Sequence, residues 1–557
     1  MSVQATFCAT LVDEWVRGGI TDAVICPGSR STPLAVELSR QLRVHIRLDE
    51  RSAAFFALGL SMATGQPTVI CTTSGTAAAE LHPAVAEAHH ARVPLILCTA
   101  DRPPELQNVG ASQTIDQVGL FTTSTRWAES PGVPEDTERN TWRPLAARSV
   151  AEALHNPLGP GPVHLNLAFR DPLTGEPGPL PDHTDHAAAP RPAAKPETPT
   201  IDRPLDGRGL IIAGAHATKD PSRLVELGEA MGWPVLADPR SGCRVPGTIA
   251  AADAIIRADV PVAETVLMLG TPWLSKALSE YVSRAAHAGG RIVAVDPWQK
   301  IDPTRVVTEF HQVEQDAFLA SARSGASPAD PEWLALWHSF EHQAQEAIDA
   351  SLESDLNEPQ VARRLARAAA ENDATIMVSA SMPMRDLEWF SPALAKPPRV
   401  LSNRGVNGID GVVSTALGIA ASGQRTVALM GDLAFLHDVS GLVNLPELPC
   451  TFLVVDNGGG GIFSFLPQAT AIPADSFEQL FGTPPTSDVS SVARGFGLEV
   501  LEVRTTDEMD TAFKTTLHPD RTSPTLIHVR VPGRTENVAI HEAVNQAVKE
   551  AVERSQR

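Results

Sequence analysis

The chain has 557 residues and a formal net charge of −21, a length that sets an expectation of roughly three or four domains and a charge that argues against non-specific binding to nucleic acid or anionic membranes. No apolar run reaches the about 18 residues a membrane span needs, and the opening "MSVQATFCATLVDEWVRGG" reads as an amphipathic helix, not as a signal peptide, so the cytoplasm is the expected address. Cys8, Cys26, Cys71, Cys98, Cys243 and Cys450 show no CxxC spacing and are expected to be small core residues, neither zinc ligands nor a disulfide framework.

From the N-terminus, "DAVICPG", "RVHIRLD", "PTVICTTSG" and "PLILCTADRP" read as strands separated by helical segments such as "ERSAAFFALGLSMATG". That alternation predicts a parallel sheet covered by helices on both faces. After "GPVHLNLAFRDPL" it lapses: nine of the 35 residues from Asp171 to Leu205 are proline, the composition of an extended linker. A second alternating block follows, with strands in "RGLIIAGAHA", "PVLADPRSG", "TVLMLGTPW" and "GRIVAVDP". It lacks GxGxxG after its first strand, which weighs against bound NAD or FAD. A polar helix over about Pro331–Ser351 then leads to a third block, with strands in "ATIMVSA", "RVL", "TVALM", "TFLVVD", "LEVLEV" and "PTLIHVRV". The expected fold is α/β, three domains each with a mainly parallel sheet flanked by helices, over residues 1–180, 206–352 and 353–557, with a linker at 181–205.

In "ALMGDLAFLHD" a buried strand ends at Gly431 and Asp432, the edge at which open parallel sheets bind ligands; a helix N-cap is the alternative. Asn457 follows 25 residues later in "TFLVVDNGGGGIF". A helix expected over "HDVSGLVNLPEL" would return the chain so that both loops share one edge. A carboxylate, an amide oxygen and a carbonyl freed by glycine are hard oxygen ligands suited to Mg²⁺. A loose glycine loop is the bland alternative.

The pair Asp432 and Asn457 resembles the thiamine diphosphate signature, Gly-Asp-Gly followed by Asn-Asn, with Leu433 in place of the last glycine and Asp456 in place of the first asparagine. In such enzymes of the decarboxylase type a glutamate from the first, pyrimidine-binding domain bonds the cofactor's N1′. Glu50 of "IRLDERSAAFFALG" matches it, although a carboxylate at a helix start also answers the helix dipole. The resemblance implies that this carboxyl favours the imino tautomer that deprotonates the thiazolium C2. It further implies a central domain, a diphosphate- and metal-binding third domain with Gly459 offering its carbonyl to Mg²⁺ or Mn²⁺, and at least a homodimer, because the glutamate serves a neighbouring subunit's cofactor. Relatives extend this to a homotetramer.

"CPGSRSTPL", "TADRPPEL", "SNRGVNGIDG" and "GGGGIFSFLPQ" narrow the likeness to the 2-succinyl-5-enolpyruvyl-6-hydroxy-3-cyclohexene-1-carboxylate synthase (MenD) family. The resemblance implies decarboxylation of 2-oxoglutarate and Stetter-like 1,4-addition of the succinyl carbanion to isochorismate, in menaquinone biosynthesis. It places Ser29, Arg30, Ser31, Arg102, Gln113, Ser381, Arg385 and Arg404 at the substrates and Ile409 beneath the bent cofactor. Ile462, Phe463 and Leu466 become an apolar wall, and Gly431, Leu433 and Gly459 join the cofactor cradle. Four arginines inside these motifs suit two dicarboxylate substrates. The chain departs from the family at Ser112, where asparagine can stand, and at Ala277, where some relatives pair Lys276 with a second base. Lys276 is thus a candidate isochorismate ligand or simply a solvated helix residue. His82 and His437 read as structural, and Arg92 has no role. The competing functions are another 2-oxo acid decarboxylase or carboligase, such as an acetolactate synthase-like enzyme, and a non-catalytic anion-binding regulator. Arginines suited to two carboxylates argue against the first, and Glu50 kept with Asp432 and Asn457 against the second.

Overall fold

Short Val-, Ile- and Leu-rich runs form strands throughout the computed structural model, which describes residues 1–183, 203–271, 273–324, 328–352 and 356–556. Residues 184–202 of the expected linker lie outside the described residues. In the first sheet β1 (Asp22–Ile25), β2 (Arg43–Ile46), β3 (Thr68–Thr72), β4 (Leu95–Asp101), β5 (Trp127–Gly132) and β6 (Pro162–Ala168) take the order β2-β1-β3-β4-β6-β5. The central sheet holds β7 (Gly209–Ala213), β8 (Val235–Ala237), β9 (Thr265–Leu269), β10 (Arg291–Val295) and β11 (Glu309–His311) in the order β11-β10-β9-β7-β8. The third has β12 (Thr375–Val378), β13 (Val400–Leu401), β14 (Thr426–Gly431), β15 (Cys450–Asp456), β16 (Glu499–Val503) and β17 (Thr525–Arg530), ordered β13-β12-β14-β15-β17-β16.

Neighbouring strands pair parallel in all three sheets, as the alternation predicts. β1, β3 and β4 are buried along their whole length, as expected where helices cover both faces. The first and third sheets share one strand order, so the two outer domains are copies of one architecture. β5, with the sequence "WAESPG", is a strand that the periodicity does not announce. It lies at the sheet edge with an irregular register between Glu129 and Gly132, where exposure, Pro131 and Gly132 erase the apolar signal.

The helix Glu50–Thr64 starts at Asp49, whose side chain accepts the Ser52 N–H at 2.8 Å, and stops at Gly65 with φ 72°. It lies against the helix Val412–Ala421 at a distance that only glycine permits. A Cβ at Gly59 would sit 2.1 Å from the Thr415 carbonyl oxygen, and one at Gly418 2.0 Å from that of Phe56. Phe55, Phe56, Leu417, Met430, Phe435 and Phe452 belong to one buried cluster, so the outer domains share a core within one chain.

The polar helix is present at Pro331–Ser351. Its Trp333, Trp337 and Phe340 are buried with Val544 and Val548 of the C-terminal helix Arg534–Ser555, which returns from the third domain. Arg92, a left-handed C-cap with φ 59°, donates to both oxygens of Asp296 at 2.8 and 3.1 Å and lies 4.5 Å over the Trp298 ring. It thereby pins the first domain to the central one. All six cysteines are buried and free, and no helix among the described residues is long and apolar enough to cross a membrane.

The connection between β14 and β15 differs from the expected helix over "HDVSGLVNLPEL". The helix lies earlier, at Asp432–His437, followed by a 3-10 turn at Val439–Leu442. Asp438 leaves the helical path and caps another helix by accepting the Ser414 N–H at 2.8 Å. Pro446 and Pro449 bar any later helix.

Candidate active site

Parallel strands deliver their following segments to one edge, and each expected site residue lies at the end of such a strand or in the loop or helix that follows it. Ser29, Arg30 and Ser31 follow β1, Glu50 follows β2, and Arg102 and Gln113 follow β4. In the third domain Ser381 and Arg385 follow β12, Arg404 and Ile409 follow β13, and Asp432 and Leu433 follow Gly431 at the end of β14. Asn457, Gly459, Ile462, Phe463 and Leu466 follow β15. Lys276 follows β9 of the central sheet.

Asp432 is the first residue of its short helix, with Gly431 as N-cap. Its carboxylate is 1% exposed. Oδ1 accepts the Leu433 N–H at 2.8 Å, whereas Oδ2 is buried without a hydrogen-bond partner. Burial, with the like charge of Asp456 added, holds this carboxyl well above the usual carboxylate range. Asp456 itself is held low, first by its bond to His528 Nε2 at 2.9 Å.

On the adjacent strand, Asn457 donates Nδ2 to Glu358 Oε1 at 2.6 Å, and its Oδ1 is likewise buried and unpartnered. Gly459, at φ 128°, has no room for a Cβ, which would stand 2.2 Å from the Gly482 carbonyl oxygen. Buried oxygens without partners cost free energy, and two beside a glycine turn suit a hard divalent cation. Among the described residues no group of three or more His, Cys, Asp or Glu could hold a metal. A buried carboxylate oxygen, a buried amide oxygen and a glycine turn are residues that fit a metal-bound diphosphate.

Glu50 is half-buried at its helix start, and burial raises its pKa, with Asp49 and Glu80 adding to the effect. The next residues tie this helix to the third domain: Arg51 donates to the His437 carbonyl at 3.3 Å, and the Ser52 and Ser440 hydroxyls meet at 2.8 Å. Among the described residues no hydrogen bond or ion pair joins Glu50 to Asp432 or Asn457.

Arg30 is buried and donates Nη1 to the Phe169 carbonyl at 3.0 Å, with Nε unpartnered. Arg102 reaches the Ser112 carbonyl at 3.2 Å; burial, then the nearby charge of Arg30, lowers its pKa. Ser31 Oγ donates to the Gly28 carbonyl at 3.0 Å, and the Ser29 carbonyl accepts from Thr32 at 2.7 Å, so these serines shape the turn. Gln113, at φ 58°, donates Nε2 to the Ser74 carbonyl at 2.9 Å.

In the third domain Arg385 donates to the Ser381 carbonyl at 2.9 Å, and Ser381 has φ 77° and ψ −139°. That is a backbone region nearly reserved for glycine, a strain that collects at functional sites. The Arg404 Nε is buried without a partner, and burial, with Arg240 nearby, lowers its pKa to about 10. An acidic chain thus gathers cations where anionic substrates are expected.

Ile409 is 36% and Leu466 39% exposed, while the Phe463 ring meets Phe481 at 5.4 Å and Ile462 packs on the central cluster. The Lys276 side chain is 89% exposed and lies 3.4 Å from Glu280; no bond joins it to the arginines. His437 is exposed, and the His82 ring packs 5.6 Å from Phe121.

Sequence reasoning misses Glu358 and Glu87. The Glu87 oxygens accept the Gly405 and Val406 N–H groups at 2.6 and 2.8 Å and so fix the loop carrying Arg404. In "HPAVAEAHHA" nothing marks this glutamate apart from any solvated helix residue.

Two like-ordered α/β domains around a third, with orphaned oxygens at one sheet edge and a first-domain glutamate, define a thiamine diphosphate-dependent enzyme. Residues 5–120 match the family described as "Thiamine pyrophosphate enzyme, N-terminal TPP binding domain". Residues 183–376 match "Middle domain of thiamine pyrophosphate", and 388–529 match "Thiamine pyrophosphate enzyme, C-terminal TPP binding domain". The fold is similar to the crystal structure of benzoylformate decarboxylase from Polynucleobacter necessarius, with a TM-score of 0.72 and 18% identity over 94% of this chain and 98% of that one.

Among curated relatives, the 2-succinyl-5-enolpyruvyl-6-hydroxy-3-cyclohexene-1-carboxylate synthase of Chloroflexus aurantiacus is 41% identical over 87% of both chains. That of Thermobifida fusca is 40% identical over 90% of this chain and 92% of its own, and that of Bacillus velezensis 36% identical over 98% of both. The chain belongs to this synthase family of thiamine pyrophosphate enzymes.

Proposed function

We propose a division of labour for the reaction of this family, in which 2-oxoglutarate and isochorismate yield 2-succinyl-5-enolpyruvyl-6-hydroxy-3-cyclohexene-1-carboxylate and CO₂ on the way to menaquinone. When bound, thiamine diphosphate supplies the carbanion chemistry that releases CO₂ and adds the four-carbon remainder to the conjugated ring. Asp432, Asn457 and the Gly459 carbonyl would hold Mg²⁺, or Mn²⁺ in its place, with Gly431 and Leu433 lining the diphosphate. Glu50 would hold the proton at N1′, a task its burial-raised pKa suits. Ile409 would support the bent cofactor, and Ile462, Phe463 and Leu466 would exclude water.

Arg30 and Arg102 with Ser29, Ser31 and Gln113 face one carboxylate group in this scheme, and Arg385 and Arg404 with Ser381 the other. Guanidinium forks suit carboxylates. Lys276 remains an outer candidate for isochorismate. The observation that carries the scheme is the pair of buried unpartnered oxygens, Asp432 Oδ2 and Asn457 Oδ1.

The assembly in this scheme is at least a homodimer with shared sites, as the family resemblance implies, because the matching glutamate serves a neighbouring subunit's cofactor. Ile46 and Leu48, 50% and 54% exposed on the run leading to Glu50, support a covered surface there, and relatives extend the assembly to a tetramer. Six free, buried cysteines and the absence of a membrane-crossing helix among the described residues fit a cytoplasmic protein. The direct test mixes protein, thiamine diphosphate, Mg²⁺, 2-oxoglutarate and isochorismate, then follows isochorismate loss and product mass. Absence of the adduct, or equal turnover with pyruvate, overturns the substrate assignment.

A further inference from the structure

The side-chain amide of Asn457 has two faces of opposite chemistry, and only the oxygen can bind a cation. Which face meets the metal site is decided by what the nitrogen touches. Nδ2 donates to Glu358 Oε1 at 2.6 Å. In the flipped amide, Oδ1 would confront that carboxylate. Glu358 is 4% exposed at the first turn of the helix Glu358–Glu371, whose N-cap Asn357 accepts the Gln360 N–H at 3.0 Å. Its position is therefore fixed by its helix. Gly461 completes the seat, because a Cβ there would stand 2.4 Å from Nδ2.

We infer that Glu358 is a positioning residue of the metal centre: by accepting the Asn457 Nδ2–H it leaves Oδ1 as the free face of the amide and so keeps that orphaned oxygen, like Asp432 Oδ2, ready for a divalent cation before any arrives. The inference rests on the assignment of Asp432 and Asn457 as metal ligands. Behind Glu358 stand Asp386 and His541, whose Nε2 meets Asp386 Oδ1 at 2.6 Å while Nδ1 lies 2.8 Å from the Asn537 carbonyl. Asp386 is the chain neighbour of Arg385, so the support of the metal ligand and one substrate arginine share a helix, Met382–Phe390. Partners behind a metal ligand commonly set its affinity by 10- to 100-fold.

The test is Mn²⁺ affinity with thiamine diphosphate present and no substrate, read as free Mn²⁺ by electron paramagnetic resonance, with circular dichroism and melting to report the fold. Glu358→Gln keeps an acceptor oxygen for Nδ2 and should bind Mn²⁺ within about threefold of the parent. Glu358→Leu removes the acceptor and should lose about 10- to 100-fold. Should the leucine variant not fold, Glu358→Asp serves instead: its carboxylate retreats by about 1.5 Å, one C–C bond, and affinity should fall at least about fivefold. In an Asn457→Ala background the Glu358 substitutions should change nothing further.

Parent-like affinity in the leucine or aspartate variant overturns the inference, as does a glutamine variant as weak as the leucine one. If Asn457→Ala and Asp432→Ala themselves bind Mn²⁺ like the parent, the metal-ligand assignment fails instead. The two failures are thereby told apart.

Discussion

In the proposed scheme Glu50 and Asp432 ask different things of the same cofactor, and substitution separates them. Glu50→Gln removes an acidic proton while keeping size and polarity, so thiamine diphosphate should bind as before and turnover should fall by about 100-fold or more. Asp432→Ala removes a metal ligand, and Mg²⁺-dependent cofactor affinity by calorimetry should fall by more than about 10-fold. Unchanged affinity there would mean that Asp432 is not a ligand. Arg92 belongs to stability and not to chemistry. Arg92→Ala takes the only ion-pair partner that Asp296 has among the described residues. The Asp296 side chain is 2% exposed and keeps just the Trp298 and Gln299 N–H groups, and breaking such a pair costs about 3 kcal/mol. The first thermal transition should drop while cofactor affinity in the surviving protein stays put.

At this scale the candidates Asp432 and Asn457 are legible because glycines and strand ends mark them, and Glu50 because the family resemblance points to the junction of strand and helix where it stands. Glu358 and Glu87 were not, since each is an acid near a helix end or on a helix whose partner lies across the fold. The bonds Asn457 to Glu358 and Gly405 to Glu87 span 99 and 318 positions, and local pattern carries no trace of them.

Elements set where these residues stand. The helices Glu50–Thr64 and Val412–Ala421 touch backbone to backbone through Gly59 and Gly418, one leading from Glu50 and the other following Ile409. Gly59→Ala or Gly418→Ala must push them apart, a strain of about 1–3 kcal/mol. Melting should fall, and cofactor affinity should weaken with it. A shift in melting without loss of affinity would show that the spacing of these helices does not govern the site.

The strand β2 that delivers Glu50 is tied to β1 through Asp22, which accepts from Arg43 Nε at 2.6 Å and lies 2.8 Å from His45 Nε2. Burial alone would raise Asp22, but bonds to His45, Arg43 and Thr21 hold it well below the usual range. Its stabilisation is thus present above the unfolded carboxylate value near about 4 and is lost as pH falls through the folded value. Asp22→Asn should melt lower than the parent at pH 7, with the gap narrowing below about pH 4. Strand and helix order was readable from hydrophobic alternation, whereas β5, the three-residue edge strand β11 and the turn after His437 were not. At β5 and after His437 proline, glycine and acidic side chains answer to neighbours in the fold, not to the local period.

Across the whole molecule, the outer domains repeat one strand order and share a core. A second copy related by a two-fold axis would bring the Glu50 of each chain to the metal ligands of the other. Such sharing has a consequence that no self-contained site could imitate. Glu50→Gln and Asp432→Ala chains are each inactive as homodimers, because every site lacks one group. In a mixed dimer one site lacks both groups, and the other joins an intact Glu50 to an intact Asp432. Random exchange makes half the dimers mixed, each with one working site, so activity should return to about a quarter of the parent value. Light scattering on the mixture confirms assembly, and titrating one variant against the other should trace a maximum near equal amounts. If the subunits exchange and activity stays absent at every ratio, each chain builds its own site and the shared-site reading fails.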